Sequence, residues 1–170
     1  IKASEKYVNV LLNKPNKAIT DILNNINSEP LKKITNEQDF VLYGDTDSLF
    51  IAIGKLFDYY LTCEWRKLSD DEIMKYILDI AQIIEEYVND KAYREMQRIV
   101  YNSNETDFRI KFKQEIVAKS ILFVKKKKYS AWHINEEGVE VDKIKTTGLE
   151  IVRSDTPEIV RPMLKDIMNM

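Results

Sequence analysis

Asp45 and Asp47 are the residues of this chain whose type and spacing best suit chemistry. They lie two positions apart at the edge of a stretch with strand character, so their side chains can point to the same side. Two carboxylates held together repel each other unless a cation lies between them, and hard ions such as Mg²⁺ prefer oxygen ligands. A pair of such ions about 3.5–4 Å apart can activate a hydroxyl and stabilise a leaving oxygen in phosphoryl transfer. The pair therefore predicts a metal site.

The same two aspartates also have a purely structural interpretation. Aspartate is common in turns because its side chain bonds to nearby backbone, and the D-x-D pattern by itself favours that role. Sugar-nucleotide transferases use a D-x-D metal motif as well. They need a nucleotide-sugar domain ahead of the motif, however, and only 44 residues precede Asp45.

Composition excludes several other kinds of site. The four glycines lie far apart, so neither GxxxxGK[ST] nor GxGxxG can be written, and any phosphate chemistry must depend on metal ions and cations. The single cysteine, Cys63, cannot form an internal disulfide, which favours a reducing compartment. Cys63 and the single histidine, His133, cannot together build a Cys/His zinc site. We interpret His133 as an ordinary strand residue without an acidic partner nearby in sequence.

Bulk properties favour a soluble protein. Apolar residues make up 44% of the chain, enough for a core, and no run of about 18 apolar residues could span a membrane. The N-terminus has neither a signal-peptide layout nor an initiator methionine, which indicates an excerpt or a processed chain.

Charge is unevenly distributed along the chain. Residues 109–128 carry eight cations and one anion, Glu115, a local charge of +7; the whole chain carries −2, so the remainder carries −9. A concentrated basic strip on a mildly acidic chain is typical of a protein with a defined anionic partner. A solvated strip on an ordinary sheet is the structural alternative.

Apolar spacing predicts the elements that would position these residues. Residues 1–28 have helical periodicity, which Pro15 divides into two pieces. Within residues 39–53, two β-favouring runs flank the Gly/Asp segment, a hairpin pattern that Gly54 closes.

The longest predicted helix covers residues 70–101. Ser69 and Glu72 can form a capping box at its start, and apolar residues then recur at spacings of three and four. A final helix is expected to begin at Thr156, with Pro157 in its first turn.

Residues 108–145 are predicted to form strands. Alternation through Phe112 indicates a first strand, residues 121–124 have the pattern of a buried run, and residues 135–138 form a hairpin turn. The order of elements predicts an α+β fold, an antiparallel sheet with helices packed on one face.

Three short motifs, in order along the chain, resemble those of family B DNA polymerases. Tyr43–Ser48 has the sequence YGDTDS, the signature that this family carries in an apolar hairpin. Lys126–Tyr129, KKKY, resembles the family's KKRY strand. Gly148–Arg153 and the following Ser154–Pro157 resemble the junction of palm and thumb, where GLE precedes a basic residue and a short helix. The resemblance covers residues 39–170. Within the family, this segment is most similar in character to the replicative polymerases of tailed phages.

The resemblance implies the palm of such an enzyme, with nucleotidyl transfer by two Mg²⁺ ions. By this likeness Asp47 is a direct ligand of both ions and Asp45 a supporting carboxylate. Glu115 resembles the family's additional catalytic acid on the neighbouring strand, although a salt-bridging strand residue is an equal alternative.

Four further residues are expected to have structural roles. Gly44, Thr46 and Ser48 are expected to set the turn of the YGDTDS hairpin, and Gly148 to shape the junction that follows the strands.

The resemblance also implies that Lys126, Lys127, Lys128, Tyr129 and Arg153 bind DNA. Lys127 and Tyr129 are expected to share a strand face, presenting a cation and a phenol to the backbone and minor-groove edge of primer–template DNA. Phosphate contacts position DNA without reading its sequence, as copying requires. Lys128 stands where the family has arginine, which removes a bidentate phosphate contact. A solvated basic turn or a localisation signal is the alternative.

We therefore expect residues 1–155 to belong to the palm and residues 156–170 to begin the thumb. The family's DxxSLYPS-like palm motif, its fingers motif KxxxNSxYG and its exonuclease motifs are absent from the sequence. The isolated chain is thus expected to be inactive. Its expected partners are primer–template DNA, a deoxynucleoside triphosphate and the rest of the polymerase (fingers, exonuclease, thumb) in the same or another chain. The expected location is cytoplasmic, in the host cytoplasm if the chain is viral, without membrane association.

A second hypothesis is a non-catalytic DNA-binding module, in which the aspartates only turn a hairpin. It predicts duplex affinity that falls steeply with salt and does not depend on Asp45 or Asp47.

Overall fold

The chain divides into two compact units, unit 1 (residues 1–114) and unit 2 (residues 115–170). The structure is a computed structural model that describes residues 2–27, 29–33, 36–45, 48–101, 111–149 and 162. Helices and antiparallel strands both occur in the described residues, which confirms the α+β class. The described strands form two separate hydrogen-bonded sheets, one of two strands and one of three, rather than the single sheet predicted.

Unit 1 is mainly helical. Its elements are α1 (Lys2–Asn13), α2 (Lys17–Ile26), β1 (Val41–Asp45), β2 (Ser48–Ile51), α3 (Ile53–Tyr60), a 3₁₀ turn (Cys63–Lys67), α4 (Asp70–Val88), a π-helical turn (Asn89–Tyr93) and α5 (Arg94–Tyr101).

Local signals at two helix starts are confirmed. The break at Pro15 separates α1 from α2, and Asn16 caps α2 by accepting from the Ile19 N–H at 3.0 Å. Helix α4 begins with the predicted capping box, because Ser69 Oγ accepts from the Glu72 N–H and the Glu72 carboxylate accepts from the Ser69 N–H at 3.0 Å.

Gly54 does not close the hairpin, as the sequence pattern indicated. It lies in the first turn of α3, a helix that the sequence analysis did not predict. Leu56, Phe57 and Tyr60 are buried and recur at helical spacing, so burial of this face stabilises the short helix. The helix was not predicted because the apolar run of β2 continues into its first residue, Ile53.

The core of unit 1 lies among helices α1 to α4. Its fully buried members come from all four helices, from the residue just before β1 and from the residue that follows α3; the largest are Phe40, Phe57, Leu12, Ile19, Leu23, Leu56, Leu61, Ile80 and Ile84. The hairpin packs on this cluster through Val41, Leu49 and Ile51, which are half-buried. The core therefore determines where the end of the hairpin lies within unit 1.

Unit 2 contains a three-stranded antiparallel sheet with the order β3 (Ile116–Lys125), β4 (Lys128–Glu136), β5 (Val139–Thr147). The predicted hairpin at residues 135–138 is confirmed, and its turn residues Glu137 and Gly138 have positive φ angles of 49° and 87°. Residues 111–115, including Phe112, are not in a strand, contrary to the prediction. Residues 108–110 and the helix expected from Thr156 lie outside the described residues.

The apolar run at residues 121–124 is not buried throughout. Leu122 and Val124 are 65% and 61% exposed, whereas Ile121 and Phe123 are half-buried. Successive side chains of a strand point to opposite faces, so only every second residue of the run packs on the sheet's inner face.

None of the helices that the structure describes combines the length and the apolar character needed to cross a lipid bilayer.

Candidate metal and nucleic-acid site

The YGDTDS segment lies at the end of the β1–β2 hairpin. Strand β1 ends at Asp45, which pairs with Ser48 at the start of β2, and Ser48 Oγ donates to the Asp45 carbonyl oxygen at 3.4 Å. Gly44 is a residue of β1 and Ser48 is the first residue of β2, so both belong to the strands that flank the turn. Thr46 and Asp47 connect the two strands and lie outside the described residues. The hairpin thus places Asp45 at the end of a paired strand.

Helix α1 fixes the chain that enters this hairpin. The Asn9 side chain accepts from the Phe40 N–H at 2.9 Å and donates to the Asp39 carboxylate at 2.9 Å. One helical turn later, the Asn13 side chain accepts from the Gln38 N–H and donates to the Gln38 carbonyl oxygen, both at 2.7 Å. These amides satisfy backbone groups that a neighbouring strand would otherwise have to satisfy.

Two further bonds hold the base of the hairpin. The Ala52 N–H donates to the Phe40 carbonyl oxygen at 2.8 Å, and Lys55 Nζ donates to the Asp39 carbonyl oxygen at 2.7 Å. The Phe40 side chain is itself fully buried. The segment before β1 is therefore held by α1 on one side and by the start of α3 on the other.

Asp45 has the donor chemistry expected of a magnesium ligand. Its carboxylate supplies hard oxygen atoms, and the residue is half-buried at the strand end. Among the residues that the structure describes, which leave out Asp47, no three acidic, histidine or cysteine side chains converge. The described residues thus supply one carboxylate of the expected pair, and its chemistry fits the ion.

Glu115 directly precedes β3 and is not a residue of that strand, which corrects its placement. Its carbonyl oxygen accepts from the Glu137 N–H at 2.8 Å, and its side chain is exposed. The lysine run begins at the opposite end of β3. Ten strand residues rise roughly 33 Å in total, so Glu115 and the lysines lie at opposite ends of this sheet.

The lysine run forms a tight turn between β3 and β4, which we call the basic turn (Lys125–Lys128). Lys125 and Lys128 pair across it, and Lys126 and Lys127 form the turn itself. Lys127 has a left-handed φ of 60°. Strand alternation does not extend to a turn residue, so the prediction that Lys127 and Tyr129 share a strand face is wrong. Like charges that lie opposite each other destabilise an antiparallel pair, and a bound polyanion would offset that cost.

Tyr129 lies on the central strand, next to the basic turn. It pairs with Phe123 on β3 and with Thr147 on β5, and the two aromatic ring centroids lie 5.9 Å apart. Tyr129 is half-buried, so its contacts with the neighbouring strands fix where the ring lies.

Gly148 follows β5 directly and lies against the basic turn. Its φ is +63°, and a Cβ atom placed on it would approach the Lys127 carbonyl oxygen closer than the 3.0 Å that real Cβ contacts respect. That atom would also lie 3.1 Å from the Lys127 carbonyl carbon and 3.4 Å from Lys128 Cγ. Only glycine fits this approach. Arg153, the remaining residue assigned to DNA, lies outside the described residues.

His133 has an acidic partner, contrary to the sequence interpretation. Its buried ring places Nδ1 2.6 Å from Glu136 Oε1, and Lys143 Nζ donates to Glu136 Oε2 at 2.8 Å. The Lys143 bond, followed by the His133 bond, lowers the pKa of Glu136 to about 2. The sequence signal for this contact is the spacing of three residues between His133 and Glu136, which was overlooked. The cluster joins β4 to β5 near their hairpin, at the sheet end opposite the basic turn.

Asn9 and Asn13 are two further residues of the site that were not predicted from the sequence. Their only sequence signal is a spacing of four, which puts them on one helix face, and asparagine on a helix is ordinarily a solvated residue. Their role depends on Gln38 and Phe40, more than 20 residues later in the chain.

No protein-family model matches this chain. A DNA-directed DNA polymerase of Escherichia phage RB69 is 28% identical to it over 142 residues, which cover 78% of this chain and 15% of the polymerase. The chain therefore spans a small part of the length of the enzyme to which it is similar. At this level of identity, the likeness relates the chain to DNA polymerases.

Proposed function

We propose that this chain acts as part of a family B DNA-directed DNA polymerase, supplying metal ligands and a grip on duplex DNA. The observation that carries this proposal is the similarity to the phage polymerase over 78% of the chain. The hairpin that presents Asp45 and the basic turn are consistent with it. We assign residues 1–155 to the palm and residues 156–170 to the start of the thumb.

In this role the hairpin presents carboxylates to two Mg²⁺ ions. Bound ions of this kind activate the attacking hydroxyl and stabilise the leaving oxygen. We assign Asp47 as a ligand of both ions, Asp45 as the supporting carboxylate, and Glu115 as an additional acidic residue. The hydrogen bonds from α1 to the chain before β1 limit the movement of Asp45, so less ordering is needed when a cation binds.

The basic turn would contact the phosphates of the primer–template duplex. Lys126 and Lys127 are exposed at the turn, and Tyr129 follows on the central strand. Contacts of lysine with phosphate carry no sequence information, which suits an enzyme that copies any template. We add Arg153 to this surface. The deoxynucleoside triphosphate and the rest of the polymerase complete the assembly, in the host cytoplasm.

Complementation tests the catalytic assignment. The 170-residue chain is mixed with a polypeptide that carries the missing palm and fingers motifs, and primer extension is measured with Mg²⁺. We expect extension only from the mixture. Asp47→Asn removes a charged ligand at nearly constant size and should lower the rate roughly 10²- to 10³-fold, since metal stabilisation is worth several kcal/mol.

Asp21→Asn is the matched control for that substitution. Asp21 is an exposed residue of α2, 3.4 Å from Lys17, and its substitution should leave extension unchanged. Extension that persists at full rate in Asp47→Asn would contradict the catalytic assignment.

A non-catalytic DNA-binding module is the second candidate function. The observation that favours it is that the basic turn belongs to unit 2, whereas Asp45 belongs to unit 1. It predicts duplex affinity that is unchanged in Asp45→Asn and Asp47→Asn, together with no Mg²⁺-dependent extension in the complemented mixture. Extension that depends on Asp47 would exclude it.

A further inference from the structure

We infer that Gly148 is a positioning residue for DNA binding, which holds the basic turn in the shape that presents Lys126 and Lys127 to phosphates. The inference rests on the proposed grip of this turn on duplex DNA. It adds a residue from a different strand connection, one that carries no charge and no side chain.

The first observation is the close approach of two backbones. Gly148 lies so near the Lys127 carbonyl group that a Cβ atom would overlap its oxygen. The carbonyl belongs to the backbone and cannot rotate away as a flexible side chain could. Any residue with a side chain at position 148 must therefore displace the turn, the end of β5, or both.

The second observation is the left-handed conformation of Lys127 itself. A φ of 60° is uncommon for a residue that has a side chain, and Lys127 adopts it in the two-residue turn that joins β3 to β4. The Tyr129–Thr147 pair brings the end of β5 beside β4, directly before Gly148. Because the backbone of Lys127 fixes the direction in which its side chain leaves, the contact with Gly148 also determines where the Lys127 ammonium can reach.

The chain provides a matched control for backbone strain. Gly138 also has a positive φ, +87°, but no atom lies within 4 Å of a Cβ placed on it. It belongs to the β4–β5 turn, at the sheet end opposite the basic turn. Gly138→Ala therefore introduces comparable strain in the same sheet without displacing the lysines.

The experiment measures affinity of the full chain for a primer–template duplex as a function of salt. Each phosphate contact contributes about 0.9 to the slope of log K against log salt. Loss of folded protein lowers the affinity by the same factor at every salt concentration, whereas loss of contacts lowers the slope. The slope therefore separates a positioning role from a merely structural one.

We expect Gly148→Ala to lower the slope by about 1 to 2, and the low-salt affinity roughly tenfold, as loss of one or two contacts to a charged group implies. Gly138→Ala should keep the wild-type slope. Lys127→Ala should lower the slope by about 1. In the double variant Lys127→Ala/Gly148→Ala, the loss of slope should be smaller than the sum of the two single losses, because both substitutions act on one contact.

A wild-type slope in Gly148→Ala, with a lowered slope in Lys127→Ala, would overturn the inference and leave the proposed DNA grip intact. Equal slope losses in Gly148→Ala and Gly138→Ala would overturn it too. A wild-type slope in Lys127→Ala would remove the grip itself, and the inference with it.

If Gly148→Ala does not fold, amide hydrogen exchange on the unmodified chain tests the inference instead. Binding of the same duplex should slow exchange at Lys127, Lys128 and Gly148 together, because the turn and the end of β5 are in contact. Protection at Lys127 and Lys128 without any at Gly148 would overturn the inference.

Discussion

The side-chain oxygen of Asn9 accepts a hydrogen bond from the backbone N–H of Phe40 at 2.9 Å, where the chain enters the β1–β2 hairpin. The bond joins a helix face to the residue just before β1, the strand that ends at Asp45. A strand edge usually finds its partners on another strand, but here a helix side chain supplies one. The position of the candidate metal ligand therefore depends on an amide of α1 as well as on the strand pairing.

Asn9→Ala should destabilise unit 1. The substitution leaves the Phe40 N–H without its acceptor, and an unsatisfied buried donor costs about 1–3 kcal/mol. Urea unfolding of the full chain measures this cost. Asn25→Ala, at an exposed position of α2, should change the free energy of unfolding by less than about 0.5 kcal/mol. Equal stability of the two variants would contradict the assigned role of Asn9.

Tyr60→Phe should also destabilise unit 1, through the end of α1. The single proton of the Tyr60 hydroxyl is shared between the carbonyl oxygens of Leu12 at 2.7 Å and Asn13 at 3.0 Å, two of the acceptors that a helix end leaves unsatisfied. Loss of this hydroxyl at a buried site should lower the free energy of unfolding by about 1–2 kcal/mol. Tyr76→Phe, at a half-buried position of α4, is the control in the same unfolding experiment. No difference between the two variants would show that these bonds contribute nothing net.

The sequence predicts those parts of the fold that have local causes. Pro15 separates two helices because its ring cannot continue the first one, and Ser69 with Glu72 closes a capping box within four residues. The hairpin that carries Asp45 follows from two apolar runs around a short polar segment. Each of these features depends on residues that are close neighbours in the chain.

The remaining features depend on partners that are distant in sequence. Asn9 resembles any polar helix residue until Phe40 reaches it. Lys127 resembles a strand residue because KKKY has no turn residue of the glycine or asparagine type, yet it adopts a left-handed φ in the turn, and Gly148, 21 residues later, lies against it. Strand alternation ends where the turn begins, which is why the prediction that Lys127 and Tyr129 share a strand face was wrong.

Acid should weaken unit 2 through Glu136. Its folded-state pKa of about 2 lies below the ordinary 4.5 because of the bonds from Lys143 and His133. A lowered pKa contributes stability that is complete above about pH 4.5 and is lost as the pH falls towards 2. Chemical unfolding of the full chain between pH 2 and 6 should therefore show a steeper acid decline for the wild type than for Glu136→Gln. Glu140→Gln, exposed on β5, should keep the wild-type decline, and parallel curves for all three proteins would contradict the assignment.

The π-helical turn after α4 offers a test in which two substitutions at one position should differ. The Asn89 side chain accepts from the Phe112 N–H at 2.7 Å and donates to the Phe112 carbonyl oxygen at 2.8 Å, so it holds this segment as a neighbouring strand would. Asn89→Ala removes both bonds. Asn89→Asp keeps an acceptor for the N–H but directs a second oxygen at the carbonyl group, where two acceptors repel each other.

Both Asn89 variants should lower the free energy of unfolding by about 1–3 kcal/mol, but for different reasons, and hydrogen exchange of the Phe112 amide distinguishes them. Exchange should become fast in Asn89→Ala, which has no acceptor, and stay slow in Asn89→Asp, which retains one. Gln82→Ala, which removes an exposed bond to Glu86 on the same helix, should leave that amide unaffected. Equally fast exchange in both Asn89 variants would mean that the donor half of the amide alone holds residue 112 to the helix.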